Sequence, residues 1–344
     1  MLNMTIELPT FLKKPLPIGS RQITNRLALA PMAGLGHIAF RELVSSFGGH
    51  GLLFTEMSSA KAIPHENRHV SPVFRWRDEE LPYLVCQIFG SVPERMAEAA
   101  KRIEKEGFFG VDINFGCSVS AICRMNCGAA LLKNPSLAVS IVSAVRKAVS
   151  IPLFIKYRTG WTDDPAFAQE MAKRFEDAGA DALTFHPRVA PDRRLRPPKW
   201  EYIGFVKQAV SIPVFGNGNV FSYDDCRKMI LETGCDGVSI GRAAVAKPWI
   251  FAELTEGFAP VTGTYRNTLE EIAGLLEKYY EPSRSIKHFK KFALYFSAGF
   301  KYSHSIYSKL CRGNDFKDIR RNIEDVFENP QELSSSPNMN MFVA

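Results

Sequence analysis

Cys117 is the residue whose type and position point most directly to chemistry. It follows Asn114-Phe115-Gly116 on a predicted turn, and Cys123 and Cys127 come soon after it. A zinc or iron–sulfur site would need thiolates at C-x2-C-type spacing and a fourth ligand, so we expect no metal here. A thiol on such a turn can act as a nucleophile or as a proton donor, and the residues alone leave both roles open.

Polar side chains also end other short apolar runs. Gln87 lies near the end of YLVCQIF, Lys156 and Arg158 end PLFIKYR, and His186 and Arg188 end DALTFHPR. A lysine in such a position can place its cation against the N1/C2=O edge of a flavin, where negative charge accumulates on reduction. The alternative is a lysine whose stem packs on the rim and whose ammonium reaches water.

Two glycine-containing loops follow the last two apolar runs. They are Gly216-Asn217-Gly218-Asn219, after PVF, and Gly241-Arg242, after GVSI. Glycines let backbone N–H groups approach an anion, and arginine adds a charge-assisted hydrogen bond. Each loop sequence alone is common in ordinary turns. Together they predict a site for a phosphorylated cofactor.

The elements that position these residues alternate along the chain. Eight short apolar runs are separated mostly by helix-like stretches, such as 93–106, 137–149 and 165–178. The runs are 27–31, 51–56, 83–89, 110–115, 152–157, 181–186, 213–215 and 237–240. Continuous apolar strands alternating with helices indicate a parallel sheet covered on both faces. Eight such units in about 250 residues predict a (β/α)8 TIM barrel, with its active site at the carboxyl ends of the strands.

The pattern changes after residue 260. Stretches 269–280, 283–300 and 315–327 are predicted as helices without intervening strands, and Ile286, Phe289, Phe292, Phe296 and Phe300 recur at helical spacing. We therefore predict a barrel domain over residues 1–260, a helical domain over 261–330 and a disordered tail over 331–344.

The positive charge of the chain is concentrated in the helical domain. The whole chain carries +7, whereas residues 284–321 hold ten Lys and Arg against two acids, a net of +8. Phosphate neutralisation supplies most sequence-independent RNA affinity, so this stretch indicates RNA binding. Tyr295, Tyr302 and Tyr307 lie among the charges. A second basic cluster comprises Arg193, Arg194, Arg196 and Lys199.

Composition excludes several other classes of protein. A hydrophobic fraction of 46% is too high for disorder, and we find neither a membrane-spanning run nor a secretory signal. Seven cysteines do not form a paired disulfide framework. We predict inert buried thiols at Cys86, Cys226, Cys235 and Cys311, and a monomeric protein of a reducing, cytoplasmic compartment.

Several motifs in collinear order resemble the tRNA-dihydrouridine synthase family. They are APMAG, FRELVSSFG, QIFGS, DINFGC, GAALLKNP, IKYRTGW, FHPR, WEYI, IPVFGNGNV and GCDGVSIGRAAVAKPWIF, spread over residues 26–251. The basic helical region is similar to that family's C-terminal RNA-binding domain. The resemblance implies an FMN-containing enzyme that uses NADPH or NADH to reduce the 5,6 double bond of uridine in RNA, with tRNA as the expected substrate.

The resemblance also implies roles for individual residues. Cys117 would donate a proton to C5 of the base while reduced FMN delivers hydride to C6. Asn114, Arg158 and Arg188 would contact the flipped-out base. The flavin-binding residues would be Pro31, Met32, Ala33, Gln87, Lys156, His186, Asn217, Gly218, Asn219, Gly241 and Arg242.

The sequence departs from the family pattern at positions that face the substrate. Ser118 replaces the proline that usually follows the cysteine, Gly36-His37 replaces Thr-Asp, and Val189 and Asn219 replace Thr and Asp. Two alternatives therefore stay open. One is an FMN-dependent barrel oxidoreductase acting on a small pyrimidine or enone, or on ribosomal RNA. The other is an RNA-binding, chaperone-like protein that has lost catalysis.

Overall fold

Eight parallel strands close into a barrel in the computed structural model, which describes residues 7–192, 196–334 and 337–342. The strands are β1 (Leu27–Leu29), β2 (Leu52–Phe54), β3 (Leu84–Phe89), β4 (Gly110–Phe115), β5 (Leu153–Gly160), β6 (Ala182–Val189), β7 (Val214–Asn217) and β8 (Gly237–Ile240). Each pairs in parallel with the next, and Val238 of β8 pairs with Leu27 of β1 to close the ring. The predicted TIM barrel is confirmed.

Helices cover the outside of the barrel. They are α1 (Ile38–Phe47), α2 (Pro93–Lys105), α3 (Pro135–Ala148), α4 (Pro165–Asp177), α5 (Glu201–Ala209) and α6 (Tyr223–Thr233). Proline begins α2, α3 and α4, where its fixed φ suits the first helical turn. The segment between β2 and β3 contains no α-helix, because prolines interrupt it. It holds the two-residue strand Ser58–Ser59, which pairs with the end of β3, and the 3-10 turns Ile63–His65 and Asp78–Tyr83.

The barrel interior has an apolar layer at the amino ends of the strands. Phe54, Phe154 and Phe215 pack there, with the Phe54 and Phe154 ring centroids 5.5 Å apart. An antiparallel hairpin, Leu16–Ile18 with Arg21–Ile23, closes this end. Side chains of one strand face the same side every second residue. Gln87, Asp112, Asn114, Lys156 and Asn217 therefore form a polar layer nearer the carboxyl ends.

Four helices follow the barrel: α7 (Thr262–Tyr279), α8 (Pro282–Phe296), α9 (Ser303–Leu310) and α10 (Phe316–Phe327). The apolar face predicted for α8 is buried, with Phe289, Phe292 and Phe296 at 1% exposure or less. Trp249 at the barrel end is fully buried, and its ring contacts those of Tyr265 and Phe296. No helix among the described residues is long and apolar enough to cross a membrane.

The end of the described chain differs from the predicted disordered tail. Residues Met339–Phe342 form a 3-10 helix, and Met341 and Phe342 are buried. The Phe342 ring lies between those of Phe221 and Tyr295, at centroid distances of 5.4 and 5.6 Å. Two aromatic contacts and burial of the Phe342 ring offset the conformational entropy that this short segment loses on ordering. Composition alone could not predict these contacts.

Candidate active site

A cavity opens at the carboxyl ends of strands β1, β5, β6, β7 and β8. Nine of the eleven predicted flavin-binding residues line it: Pro31, Met32, Lys156, His186, Asn217, Gly218, Asn219, Gly241 and Arg242. Its volume of about 180 Å³ is smaller than the ~300–1,000 Å³ of sites that enclose a whole drug-sized ligand. The cavity therefore suits one end of an elongated cofactor, with the remainder extending along the rim.

The loop after β7 has a backbone that depends on glycine. Gly218 has a φ of +123°, and an added Cβ would lie 3.0 Å from Cδ2 of His186. Trp200 Nε1 donates to the Gly218 carbonyl at 2.9 Å, and Asn217 Nδ2 donates to the Ser239 carbonyl at 2.7 Å. These contacts hold the loop against β8 and leave its floor free of side chains, as close approach of a phosphate would require.

Arginines surround this end of the cavity. Arg242 Nη1 donates to the carbonyl of Phe342 at 2.9 Å, and its guanidinium lies 5.4 Å from the Phe342 ring centroid. Arg188 is buried and donates from Nη2 to Asn219 Oδ1 at 3.3 Å. Arg188, predicted to contact the base, thus borders the loop predicted to bind phosphate.

His186 is neutral in this environment. Burial lowers the pKa of its imidazole well below the usual range, and the charges of Arg158, Lys156, Arg188 and Arg242 lower it further. Four cations converge on one imidazole, so the cavity carries an excess of positive charge. An anionic group such as a phosphate would be favoured there.

Lys156 projects from β5 into the polar layer. Its Nζ donates to Asn217 Oδ1 at 3.3 Å. Burial and the charge of Arg158 lower the pKa of Lys156, whereas Asp112 and Cys117 oppose that shift. Burial raises the pKa of the Asp112 carboxyl, partly offset by its hydrogen bond from Gln87 and by the Lys156 charge. The two groups occupy the base of the site, on adjacent strands β4 and β5.

Hydrogen bonds link this base to the turn that carries Cys117. Gln87 Nε2 donates to Asp112 Oδ2 at 2.6 Å, and Asn114 Nδ2 donates to Gln87 Oε1 at 2.8 Å. Asn114 Oδ1 in turn accepts from the backbone N–H groups of Gly116 and Cys117, at 3.0 and 2.9 Å. Asn114, predicted to contact the base, is therefore also a support of the Cys117 turn.

The far side of the Cys117 turn is held by residues 123–129. The Cys117 carbonyl accepts from Ala129 N at 2.9 Å and from Cys123 Sγ at 3.6 Å. Gly128 has a φ of +63°, and an added Cβ would lie 2.6 Å from the same carbonyl. Cys117 itself is partly exposed. No group of His, Cys, Asp and Glu in the described part of the chain could hold a metal ion.

The cysteines predicted to be inert lie away from solvent. Cys86, Cys226 and Cys235 are buried, and burial raises the pKa of each thiol, that of Cys86 to about 12 and that of Cys235 to about 11. Cys311 directly follows helix α9 and is partly buried, and burial raises its pKa too. Cys117 and Cys123 are the partly exposed thiols that the fold brings beside the polar layer.

Two of the predicted flavin-binding residues do not line the cavity. Gln87 is buried beneath the rim, at 1% exposure, in the hydrogen-bonded chain described above. Ala33 is exposed, and its carbonyl accepts from Lys291 Nζ of α8 at 2.7 Å. The loop after β1 thus contacts the basic helix, a connection that the sequence pattern did not reveal.

Sequence reasoning also missed residues that shape the site. Asp112 lies in β4 two residues before Asn114, and only this spacing signals that both side chains face inward. Trp200 and Ser239 hold the loop after β7 through the contacts given above. Arg193 and Arg194 of the second basic cluster lie outside the described residues. In the same cluster, Lys199 is exposed and pairs with Asp163 at 2.5 Å.

The barrel and the convergence of these polar residues define a TIM-barrel protein with a cationic cavity at the carboxyl ends of its strands. A model of the family described as Dihydrouridine synthase (Dus) matches residues 28–339. The chain therefore belongs to the dihydrouridine synthase family, and the predicted resemblance is confirmed.

Curated relatives agree with this assignment. The chain is 40% identical to tRNA-dihydrouridine synthase B of Pseudomonas aeruginosa, covering 69% of this chain and 71% of the relative. It is 38% identical to probable tRNA-dihydrouridine synthase 1 of Synechocystis, covering 73% and 70%. With the probable tRNA-dihydrouridine synthase of Rickettsia conorii, 29% identity covers 92% and 98%, so this similarity includes the helices that follow the barrel.

Solved structures support the fold alone. Histamine dehydrogenase from Rhizobium superposes with a TM-score of 0.57 at 14% identity, covering 78% of this chain and 51% of that one. A 2-naphthoyl-CoA reductase superposes with a TM-score of 0.56 at 13% identity, covering 97% and 72%. Both are oxidoreductases by name. At this low identity they support the barrel fold of this chain and say nothing about its substrate.

Proposed function

We propose that this chain is a flavin-dependent enzyme that reduces the 5,6 double bond of a uridine in tRNA to give dihydrouridine. The observation that carries the proposal is the cationic cavity at the carboxyl ends of the strands, connected through Gln87 and Asn114 to the Cys117 turn. The relatives named above are tRNA-dihydrouridine synthases, which supports the same reaction here.

The residues present fit FMN. Arg242, with the glycine-dependent loop Asn217-Gly218-Asn219 and Gly241, would hold the phosphate and ribityl chain. Lys156 would place its cation at the N1/C2=O edge of the ring, with Gln87, neutral His186, Pro31, Met32 and Ala33 as further contacts. When bound, the flavin supplies the hydride, and NADPH or NADH serves as the reductant.

The protein's own groups perform the remaining chemistry. Cys117 would donate its thiol proton to C5 of the uracil, as a general acid on a turn that Asn114 holds in place. Arg158 lies close enough to Lys156 and His186 to lower the pKa of both groups. Together with Arg188 and Asn114, it would contact the extruded base, because a base must leave its stack to reach such a pocket.

The helical domain supplies the surface for RNA. Lys287, Lys309 and Arg312 are exposed, and none has a carboxylate partner within the part of the chain that the structure describes. Tyr302 is 58% exposed, whereas Tyr295 is buried against Phe342. Of these two tyrosines, Tyr302 is therefore the one available for stacking on a base, and Tyr307 is partly exposed. We extend the proposal to a monomeric, cytoplasmic enzyme that uses this surface to bind tRNA.

Two measurements test the proposed function. The purified protein should show a flavin absorbance band, or gain one on reconstitution with FMN, and absence of both would refute the flavin assignment. RNA from cells with and without the gene should differ by two mass units at a defined tRNA uridine. A gain in ribosomal RNA instead, or steady-state reduction of a free pyrimidine or enone, would show that the substrate assignment is wrong.

A further inference from the structure

We propose that Asp112 is a positioning residue that fixes the orientation of the Gln87 and Asn114 side-chain amides and thereby holds the turn carrying Cys117. Asp112 is fully buried on β4, and Gln87 and Asn114 are 1% and 8% exposed. These three side chains form a continuous hydrogen-bonded chain that ends on the backbone of the turn.

The direction of this chain follows from the chemistry of its members. Burial raises the pKa of Asp112 to about 7. Above that pH its ionised carboxylate only accepts hydrogen bonds, whereas each amide group has one end that donates and one that accepts. Because Asp112 Oδ2 accepts at 2.6 Å, the Gln87 amide must turn its NH2 toward Asp112 and its oxygen toward Asn114. Asn114 must then turn its NH2 toward Gln87 and its oxygen toward the turn.

The oxygen of Asn114 is what the turn requires. Two backbone N–H groups, those of Gly116 and Cys117, point at Asn114 Oδ1 and need an acceptor there. A flipped Asn114 amide would present N–H groups to these donors and lose both hydrogen bonds. One acceptor at the base of the chain therefore sets the polarity of three successive contacts, as cooperative buried networks do.

The charges of Asp112 and Lys156 favour each other, but the two side chains are not in direct contact as an ion pair. The Lys156 ammonium bonds to Asn217 Oδ1 at 3.3 Å. Among the described residues, no ion pair joins Lys156 Nζ to Asp112 within 4.0 Å, and the carboxylate accepts a side-chain hydrogen bond from the Gln87 amide. A buried carboxylate is costly, so its retention at this point needs a local role. Orienting the two amides is that role.

This inference rests on the proposed function only for its catalytic consequence, and its test can be read without flavin. The measurement is the rate at which N-ethylmaleimide alkylates Cys117 in the apo full-length protein, followed by peptide mass spectrometry. Cys311, partly exposed in the helical domain, is the internal reference. In D112N the amide at position 112 can donate or accept, so it no longer fixes the orientation of the Gln87 and Asn114 amides.

We expect D112N to alkylate at Cys117 about fivefold faster, the effect of losing about one net hydrogen bond on the turn. The Cys311 rate should not change. The double variant D112N/Q87E moves the carboxylate from position 112 to position 87, the next member of the hydrogen-bonded series. There it accepts directly from the Asn114 amide. Cys117 alkylation should then return to within about twofold of the wild-type rate.

A wild-type Cys117 rate in D112N, or no recovery in D112N/Q87E, would overturn the assignment. If circular dichroism shows that D112N does not fold, Q87M breaks the same chain at its centre. In that variant the proposal again requires faster Cys117 labelling, and an unchanged rate refutes it. Failure of the wild-type protein to bind FMN would refute the proposed function while leaving these rates interpretable.

Discussion

The two ends of the barrel interior are formed by the same strands and carry opposite chemistry. On β5, Phe154 packs in the apolar layer closed by the hairpin, and Lys156, two residues later, lines the cavity at the carboxyl ends of the strands. The same change separates Phe215 from Asn217 on β7. Each strand advances about 3.3 Å per residue. The apolar side chains that stabilise the barrel and the polar side chains of the candidate site are therefore separated by only about 7 Å along the strand.

This separation gives each layer its own measurable signature. Substitutions in the polar layer should alter cofactor binding and catalysis with little effect on unfolding, and substitutions in the apolar layer should do the reverse. TIM barrels divide these tasks between the two ends of their strands. The predictions below test how complete the division is in this chain.

The largest effect is expected from C117A. Loss of a general acid costs about 10²–10⁴-fold in rate, so dihydrouridine formation on tRNA should fall by that factor while flavin content and stability stay unchanged. C311A, in the helical domain, is the matched control and should retain activity. Near wild-type dihydrouridine formation by C117A would show that another group donates the proton.

F154A tests the apolar layer. Phe154 is fully buried against Phe54, and truncation of a core phenylalanine costs about 3–5 kcal/mol in unfolding free energy. Urea denaturation measures that cost. F205A is the control, because Phe205 is 40% exposed and surface substitutions stay within about 0.5 kcal/mol. Equal losses in the two variants would contradict the placement of Phe154 in the barrel core.

R242A tests the phosphate end of the polar layer. A hydrogen bond to a charged group contributes about 1.5–3 kcal/mol, so the Kd for FMN should rise about tenfold to a hundredfold. K228A removes an exposed cation on α6 and should leave that Kd unchanged. Since Arg242 also contacts Phe342, the melting temperature is measured in parallel. An unchanged Kd for FMN would mean that the phosphate lies elsewhere.

Most residues assigned to the site from the sequence lie around one cavity, because strand ends converge in any parallel barrel. Residues such as Lys156 and Asn217 could be assigned to one site once the strands were recognised, without knowledge of any distance. Asp112 could not be assigned, because its partner Gln87 lies on another strand and their contact depends on register. Strand pattern alone does not give which polar groups meet inside the barrel.

Contacts between distant segments were likewise not predictable. The Ala33 carbonyl accepts a hydrogen bond from Lys291, which is 258 residues away in sequence. The Phe342 carbonyl accepts one from Arg242, which is 100 residues away. Helix α9, Ser303–Leu310, was missed because its eight residues carry no long apolar period. These features depend on how the helical segment packs against the barrel rim, which local composition does not encode. The division into separate domains at residue 260 stays a prediction.

The smallest effect concerns titration, which only the polar layer can show. Burial and Arg158 lower the pKa of Lys156, so its ammonium loses its proton at a lower pH than an ordinary lysine. The cation favours the anionic cofactor, and flavin affinity should therefore fall as pH rises through that lowered pKa. In K156R the guanidinium stays charged throughout this range, and the pH dependence should flatten.

Fluorescence titration of the apo protein with FMN at a series of alkaline pH values measures this change. His186 does not interfere, because its pKa is lowered and its imidazole is neutral at neutral and alkaline pH. A loss of only about threefold in affinity is expected, since the neutral amine can still donate a hydrogen bond. Identical pH profiles for the wild type and K156R would remove Lys156 from the flavin site. The polar layer would then bind the cofactor through Arg242 and the loop after β7 alone.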